Sequence, residues 1–305
     1  MANEWLNIEI PEIADTLEKQ IQTTFHVDSK EGLNITGRKA VYSVLDNILG
    51  VLFPGSFSSM SIEQGDLNYY INSQIRLICH ELAKRVDETL SFHCKNHETI
   101  ACDSCSCENR SFEVSRKLIR ELPQIRETLM ADVKSAYEGD PASQSYHEII
   151  LSYPYLEAIA TQRIAHLLYQ MDIPVLPRIM TERAHSRTGI DIHPGATIGP
   201  GFFIDHGTGV VIGETCTIGK NVTIYHGVTL GAFSPFDREG NQYKGQKRHP
   251  NIEDNCIIYS GAVILGGNTT IGKGSVVNGN ALITKSIAPN SVVYNKFETI
   301  VKESK

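Results

Sequence analysis

The sequence has no apolar run that approaches the roughly 20 residues of a membrane-spanning helix. Its first residues, MANEWLNIEIPEI, include acidic groups and lack an apolar stretch, so we expect no secretory signal there. Basic residues are not in excess either: the formal net charge is −7, and no basic stripe is present to neutralise phosphates. These absences argue against a membrane and against a nucleic acid as partners.

The chain contains seven cysteines, an odd number, among 305 residues. A chain of this length can bury its cores without disulfide bonds, and without a secretory signal we expect reduced thiols in the cytoplasm. Cys94, Cys102, Cys105 and Cys107 follow the spacing C-x7-C-x2-C-x-C in a polar stretch after His93. This spacing suits a reduced surface loop, a structural zinc or cluster site, or disulfide chemistry, and we favour the reduced loop.

Before about residue 185, aliphatic residues recur with the spacing of a helix. Two sets share this spacing: Ile71, Ile75, Ile78 and Leu82, and then Leu118, Ile119, Leu122 and Ile125 within 111–136. Further helices are predicted around residues 13–24, 38–53 and 157–170. Pro174 and Pro177 then interrupt the helical pattern. We therefore predict a helical N-terminal domain over residues 1–186.

From Ile192 to Val293 the spacing changes to about six residues. The aliphatic positions are Ile192, Ile198, Ile204, Ile212, Ile218, Ile224 and Leu230, and then Ile252, Ile258, Ile264, Ile271, Val277 and Ile283. Six residues fit neither a helix nor simple strand alternation, but they fit a coil in which each flat face adds one short strand and one turn. The fold class is therefore α+β: the helical domain, a parallel β-helix over 187–295, and a C-terminal tail at 296–305.

One long interruption breaks this ladder at residues 233–250, where charge, glycine and proline replace the repeat. A long loop that leaves a regular solenoid is usually functional or disordered. Its end, Lys247-Arg248-His249, carries groups suited to an anion or a proton. We therefore favour a functional loop.

Histidines and aspartates cluster in the same region: His193, His206, His226 and His249, with Asp191 and Asp205. Asp191 and His206 are fifteen residues apart, which could place them close together on adjacent turns of a coil of roughly eighteen residues. The wider spacing from Ile204 to Ile212 alters that register locally. A carboxylate against an imidazole makes a general base, although aspartate and histidine are also common at corners.

Four motifs together resemble the serine O-acetyltransferase family of hexapeptide-repeat acyltransferases. They are GIDIHPGATIGPGFFIDHGTGVVIGE from Gly189, RHP at 248–250, GAVILGG at 261–267 and GDPA at 139–142. The resemblance covers residues 132–295, about half of the chain. It implies a left-handed β-helix that forms trimers, often paired through the helical domains. It also implies transfer of acetyl from acetyl-CoA to the L-serine hydroxyl in cysteine biosynthesis, without a metal.

The resemblance assigns roles to individual residues. His206 resembles the general base, and Asp191 the carboxylate that orients it. Asp140 and Asp205 resemble the groups that hold the serine ammonium, and Arg248 the carboxylate clamp, with His249 beside it. In this family acetyl-CoA lies between neighbouring β-helices, and the candidates are Gly231, Ala232, Lys247, Ser260 and Gly261. Gly231 and Gly261 read equally well as corner glycines.

The chain departs from the family in two places. His226 stands where many relatives have glutamine, and we favour a polar replacement over a second titrating group. The C-terminal VVYNKFETIVKESK ends in Lys305, whereas relatives often end in an isoleucine that docks into O-acetylserine sulfhydrylase. We therefore expect weak or no association with that enzyme.

Three other functions fit the same fold. A γ-carbonic-anhydrase-like hydratase needs three imidazoles converging on one zinc, whereas these histidines are flanked by carboxylates and an arginine. An acetyltransferase for a sugar or an antibiotic is disfavoured by the GDPA and DHGTG motifs. A non-catalytic scaffold on the same trimer predicts no turnover with any acceptor.

Overall fold

The computed structural model describes residues 5–25, 36–58, 62–96, 107–234 and 245–296. The α-helices of this part are α1 (Ile10–Phe25), α2 (Arg38–Leu52), α3 (Leu67–Asn96), α4 (Cys107–Gly139), α5 (Tyr146–Ser152), α6 (Pro154–Gln170) and α7 (Leu176–Thr188). A π-helical turn at Trp5–Glu9 precedes α1, and a 3-10 turn at Gln64–Asp66 precedes α3. The helices predicted from periodicity are confirmed as parts of α1, α2, α3, α4 and α6.

The two short helices α5 and α7 were not predicted. The prediction that Pro177 interrupts the chain was wrong, because Pro177 lies in the first turn of α7. A proline there loses no helical hydrogen bond, since the first N–H groups of a helix have no partner within it. α7 ends at Thr188 and is capped by Gly189, whose φ is +71 and whose N–H donates to the His185 carbonyl at 2.8 Å. α5 begins after Ser145, whose hydroxyl accepts the Glu148 N–H at 3.1 Å.

A buried ion pair joins the helices to the coil. The Asp132 carboxylate of α4 accepts from Nε and Nη2 of Arg163 of α6 at 2.9 and 3.0 Å. It also accepts the Phe202 N–H at 2.9 Å, while Arg163 donates to the carbonyls of Ile198 and Gly199. A buried charge is costly unless it is paired and hydrogen-bonded, and here each partner makes the ion pair and further hydrogen bonds. The helices and the first coil therefore share one core.

Residues 191–293 form a left-handed parallel β-helix of about five turns with three sheets. The first sheet contains β1 (Asp191–Ile192), β4 (Val211–Ile212), β7 (Thr229–Gly231), β10 (Val263–Leu265) and β13 (Leu282–Ile283). The second contains β2 (Thr197–Ile198), β5 (Thr217–Ile218), β8 (Asn251–Ile252) and β11 (Thr270–Ile271). The third contains β3 (Phe203–Asp205), β6 (Thr223–Tyr225), β9 (Ile257–Ile258), β12 (Val276–Val277) and β14 (Val292–Val293). The predicted fold class is confirmed.

The aliphatic ladder forms the core of this coil. In the first sheet Ile192, Ile212, Leu230, Ile264 and Ile283 stack in register, and all five are buried. Burying each side chain fully contributes about 1.5–3 kcal/mol relative to leaving it in water. The ladder is therefore both the repeat seen in the sequence and the main source of the coil's stability.

Some predictions fall on parts that the structure does not describe. Cys102, Cys105 and the side chains of Cys94 and Cys107 lie outside the described residues, so the cysteine site stays a prediction. The tail beyond residue 296 and the loop residues 235–244 lie outside them too. Among the described helices, none combines the length and the apolar character that crossing a membrane requires.

Candidate active site

Residues 205–210 form the corner that connects β3 in the third sheet to β4 in the first sheet. This corner is longer than the corresponding corner of the next coil, which connects β6 to β7. Asp205 pairs with Tyr225 and Val211 pairs with Thr229. The chain therefore takes two more residues to turn this corner in the first coil than in the second. This insertion explains the wide aliphatic spacing in the sequence. We call residues 205–210, with the stacked 225–228 and 259–262, the His206 corner.

The insertion puts His206 outside the wall of the coil. Thr208 occupies the regular stacking position, since its carbonyl accepts the Gly227 N–H at 2.9 Å. Gly207 closes a tight turn by donating its N–H to the Asp205 carbonyl at 2.7 Å. His206 has φ +58, which is uncommon for a residue with a side chain, and its imidazole is 74% exposed. Strained, exposed residues of this kind concentrate at functional sites.

Two carboxylates from different parts of the chain lie near His206. Oδ1 of Asp205 is 3.8 Å from Nε2 of His206. Asp140, which directly follows α4, accepts from the Tyr153 hydroxyl at 2.5 Å and from the Ala142 N–H at 2.8 Å. These hydrogen bonds, with a smaller contribution from nearby His206, hold the pKa of Asp140 below its ordinary value. The same contact raises the pKa of Tyr153 to about 12. The predicted Asp140, Asp205 and His206 are thus brought together.

His226 stands in the same corner one coil further on. Its ring centroid is 5.8 Å from that of His206, at an interplanar angle of 67°. Beside them the rings of Tyr225 and Tyr259 stack at 4.9 Å. Burial, and then the charge of Asp205, raises the pKa of Tyr225. His226 is therefore a neighbour of the predicted base.

Asp191, the predicted orienting carboxylate, lies on β1 against α7. Its carboxylate, a carboxylate oxygen of Glu182 and an imidazole nitrogen of His185 are within 4.8 Å of one another. Within the described parts of the chain, no hydrogen bond or ion pair joins Asp191 to His206. Their pairing stays a prediction.

A second group of polar side chains is held by Thr215, between the first and second sheets. Its hydroxyl oxygen accepts the N–H groups of Arg248 and His249, both at 3.0 Å. Its own N–H donates to Nδ1 of His249 at 3.1 Å, so His249 carries its proton on Nε2. The Lys247 ammonium donates to the Thr215 carbonyl. We call residues 213–216, with the loop end 247–249, the Arg248 corner.

His249 is buried at this corner and is 8% exposed. Its ring lies over Gly213, where an added Cβ would be 2.0 Å from a ring carbon. Burial, and then the neighbouring Arg248 charge, lowers the pKa of His249 to about 4. At neutral pH it is therefore an uncharged Nε2–H donor.

Arg248 is held by an ion pair with Glu214. The other carboxylate oxygen of Glu214 accepts the Tyr169 hydroxyl of α6 at 2.7 Å. The rings of His193 and Tyr169 pack nearly at right angles with centroids 5.8 Å apart, and burial lowers the pKa of His193. The predicted Arg248 and His249 are thus together, but at a different corner from His206.

Comparison with known proteins decides the family. The chain is 42% identical over 269 residues to the plasmid serine acetyltransferase of Synechococcus elongatus, an alignment that covers 88% of this chain and 84% of that protein. The chain belongs to the serine acetyltransferase family. It is therefore an acyltransferase, as the sequence motifs predicted. No protein-family model matches it.

Solved serine acetyltransferases have the same fold. Entamoeba histolytica serine acetyltransferase 1, in complex with L-cysteine, is 30% identical with a TM-score of 0.71, covering 85% of this chain and 99% of that one. Soybean serine acetyltransferase complexed with serine is 29% identical with a TM-score of 0.53, covering 84% and 97%. These likenesses support the resemblance first drawn from the motifs.

The candidates for acetyl-CoA lie in two places. Gly231, Ala232 and Lys247 lie where the loop leaves and rejoins the coil, whereas Ser260 and Gly261 lie in the His206 corner. Gly261 has φ +69, and its N–H donates to the corner residue stacked beneath it. Gly261 is thus a corner glycine, and its role toward acetyl-CoA stays a prediction.

Four residues near the two corners were not singled out from the sequence: Tyr153, Tyr169, Glu214 and Thr215. Glu214 and Thr215 lie at or just beyond the end of the longest motif, so its final residues could have drawn attention to them. Tyr153 directly precedes α6 and Tyr169 lies near its end, and no local spacing relates them to the two corners. Only the folded chain reveals their contacts.

Proposed function

We propose that this chain transfers the acetyl group of acetyl-CoA to the hydroxyl of L-serine, giving O-acetyl-L-serine for cysteine biosynthesis. The observation that carries the proposal is the exposed His206, placed on a two-residue insertion beside the carboxylates of Asp140 and Asp205. Free serine offers a positive ammonium, a negative carboxylate and a hydroxyl. The acidic groups suit the serine ammonium, and the base suits the serine hydroxyl.

In the proposed reaction His206 acts as the general base. It takes the proton of the serine hydroxyl as that oxygen attacks the thioester carbonyl of acetyl-CoA. The tetrahedral intermediate then collapses, the carbon–sulfur bond breaks, and the His206 imidazolium returns the proton to the leaving thiolate. Asp191 is the proposed orienting group. The transfer is direct, with neither an acyl-enzyme nor a metal.

The positive end of serine is proposed to bind at the His206 corner. Asp140 and Asp205 supply negative charge there, and the Tyr153 and Ala142 contacts of Asp140 fix its carboxylate in place. The carboxylate end requires a cation and a donor, and Arg248 with the uncharged His249 offers both.

Because the two corners lie at opposite ends of the strands of the first sheet, we infer that each site is assembled between two copies of the chain. A threefold arrangement sets the His206 corner of one copy against the Arg248 corner of the next, and gives three equal sites. The same arrangement brings Gly231, Ala232 and Lys247 of one copy near Ser260 and Gly261 of another, which supports an acetyl-CoA groove there.

Pairing of two trimers is the natural extension of this assembly. α1 exposes an apolar stripe of Ile13, Leu17 and Ile21, at 50%, 51% and 40% exposure. Exposed stripes of this kind mark interaction surfaces. We therefore propose a trimer, or a dimer of trimers joined through the helical part.

L-Cysteine differs from L-serine by one atom, and a related enzyme is known in complex with it. We therefore expect L-cysteine to compete with serine at this site. The cytoplasmic location and the weak association with O-acetylserine sulfhydrylase also stay predictions. Co-migration of the two purified enzymes in gel filtration would contradict the second.

The test is an assay of purified protein with acetyl-CoA, in which thiol release is followed spectrophotometrically with and without L-serine. We expect release that depends on L-serine. Because L-cysteine is itself a thiol, its inhibition is followed through the loss of the acetyl-CoA thioester absorbance instead. Thiol release that is equally fast without serine, or no thiol release at all, would contradict the proposal.

A further inference from the structure

Tyr169 connects the helical part of the chain to the Arg248 corner. Its hydroxyl donates to Oε1 of Glu214 at 2.7 Å, and Oε2 of Glu214 forms the ion pair with Nη2 of Arg248. We propose that Tyr169 and Glu214 are positioning residues that aim the Arg248 guanidinium at the carboxylate of the amino-acid acceptor. The inference rests on the proposed function, and it adds that a helix outside the coil sets the affinity for serine.

The main chain of Arg248 does not depend on this contact. Thr215 already holds it through the N–H groups of Arg248 and His249. What Glu214 can fix is the far end of a long, flexible side chain, whose planar donor group binds a carboxylate well only in one orientation. Tyr169 and Glu214 are therefore suited to aiming the guanidinium rather than to closing the loop.

The charges are arranged for such a role. The side chains of Arg248 and Glu214 are 24% and 23% exposed, so water screens their interaction only in part. Burial alone would raise the pKa of Glu214, but the hydrogen bonds from Tyr169 and Arg248 hold it below its ordinary value. Glu214 is thus an anion that can hold a guanidinium at neutral pH.

The hydrogen bond from Tyr169 determines which carboxylate oxygens of Glu214 are available to Arg248. With the tyrosine hydroxyl on Oε1, one oxygen remains for Arg248. Without it, Glu214 is free to turn or to bind the guanidinium with both oxygens, as carboxylate–arginine pairs often do. Either change leaves Arg248 less available to a substrate carboxylate, so both weaken serine binding.

The experiment compares Tyr169→Phe with Tyr42→Phe in the full-length protein. Tyr42 is also in the helical part, with its ring beneath the Arg183 guanidinium and remote in sequence from the coil. For Tyr169→Phe we expect the serine KM to rise about tenfold, the loss expected for one hydrogen bond to a charged group, with kcat and the acetyl-CoA KM unchanged. Tyr42→Phe should change none of the three constants.

A double-mutant cycle isolates the role of Arg248. In an Arg248→Ala background, Tyr169→Phe should have no further effect on the serine KM, because the group that it positions is gone. A full additional loss in that background overturns the inference. So does an unchanged serine KM in the single variant Tyr169→Phe.

Glu214→Gln provides a second, independent variant that keeps the shape of the side chain. Positioning predicts a higher serine KM, whereas a Glu214 that merely neutralises Arg248 predicts a lower one, which would overturn the inference. The wild-type assay distinguishes failure of the proposed function from failure of the positioning role. Without serine-dependent thiol release in the wild type the proposed function fails, while an active wild type with an unaffected Tyr169→Phe removes only the positioning role.

Discussion

The His206 corner and the Arg248 corner are built in opposite ways. At the His206 corner two residues are added to the wall, so that the His206 imidazole is exposed on a strained backbone. At the second, the residues that end the interruption rejoin the wall, where the Thr215 hydroxyl accepts the N–H groups of Arg248 and His249 and the His249 ring is buried. A proton-transferring group must reach its substrate, whereas a binding group gains affinity from being fixed in advance. The difference in construction matches the difference in proposed role.

The two corners also differ in charge. Asp140 and Asp205 make the His206 corner acidic. At the Arg248 corner, Arg248 is balanced by Glu214 and stands beside an uncharged His249. One zwitterion can satisfy both corners only if they face each other.

The largest effect on activity is expected when the exposed imidazole of His206 is removed. His206→Ala should lower kcat by about 10²–10⁴, the usual scale for a lost general base, and should change the serine KM little. The matched control is His147→Ala, an exposed histidine of α5, which should keep wild-type turnover. Near-normal kcat in His206→Ala means that the base lies elsewhere.

A crowding mutation tests whether the Arg248 corner acts through preorganisation. In Gly213→Ala the new methyl group overlaps the His249 ring, so the ring and the loop end must shift. We expect the serine KM to rise about tenfold, with a smaller change in kcat, in steady-state assays. Gly37→Ala, which has nothing within 4 Å of the added carbon, is the control. Unchanged kinetics would show that His249 need not be fixed.

The burial of His249 predicts a pH dependence of stability. Its pKa is about 4 in the folded chain against an ordinary 6.5, so the unfolded chain binds more protons between these values. This contribution to stability is complete above pH 6.5 and is lost as the pH falls toward 4. Thermal unfolding of His249→Gln should depend less on pH in this window than that of the wild type. Equal slopes for the two proteins would contradict the burial of an uncharged imidazole.

The smallest effect is expected for His226→Gln, which replaces the second imidazole beside His206 with an amide. If His226 is a polar replacement, kcat and its pH profile should stay within about threefold of the wild type. A displaced acid limb of the pH–rate profile would instead make His226 a second titrating group of the His206 corner.

The sequence predicted the coil well because its stability depends on a repeating core. Ile204 and Ile212, spaced too widely for the repeat, also marked the place of the insertion. Tyr169 and Glu214 could not be paired from the sequence, because they are 45 residues apart and belong to different kinds of structure. The position of Asp191 near Glu182 and His185 was not predictable either, since side-chain directions at a helix–strand junction depend on packing that no spacing records.

The corners of this coil accept additions without disturbing its core. Strand partners are 18 residues apart at Ile212 and Leu230, 20 apart at Ile204 and Ile224, and 34 apart at Ile218 and Ile252, yet each pair remains in register. The added residues leave the wall at the corners and do not shift the ladder. A protein engineer could therefore exchange the residues between Phe233 and Gln246 for another sequence, while the anchored Arg248 and His249 and the ladder stayed unchanged.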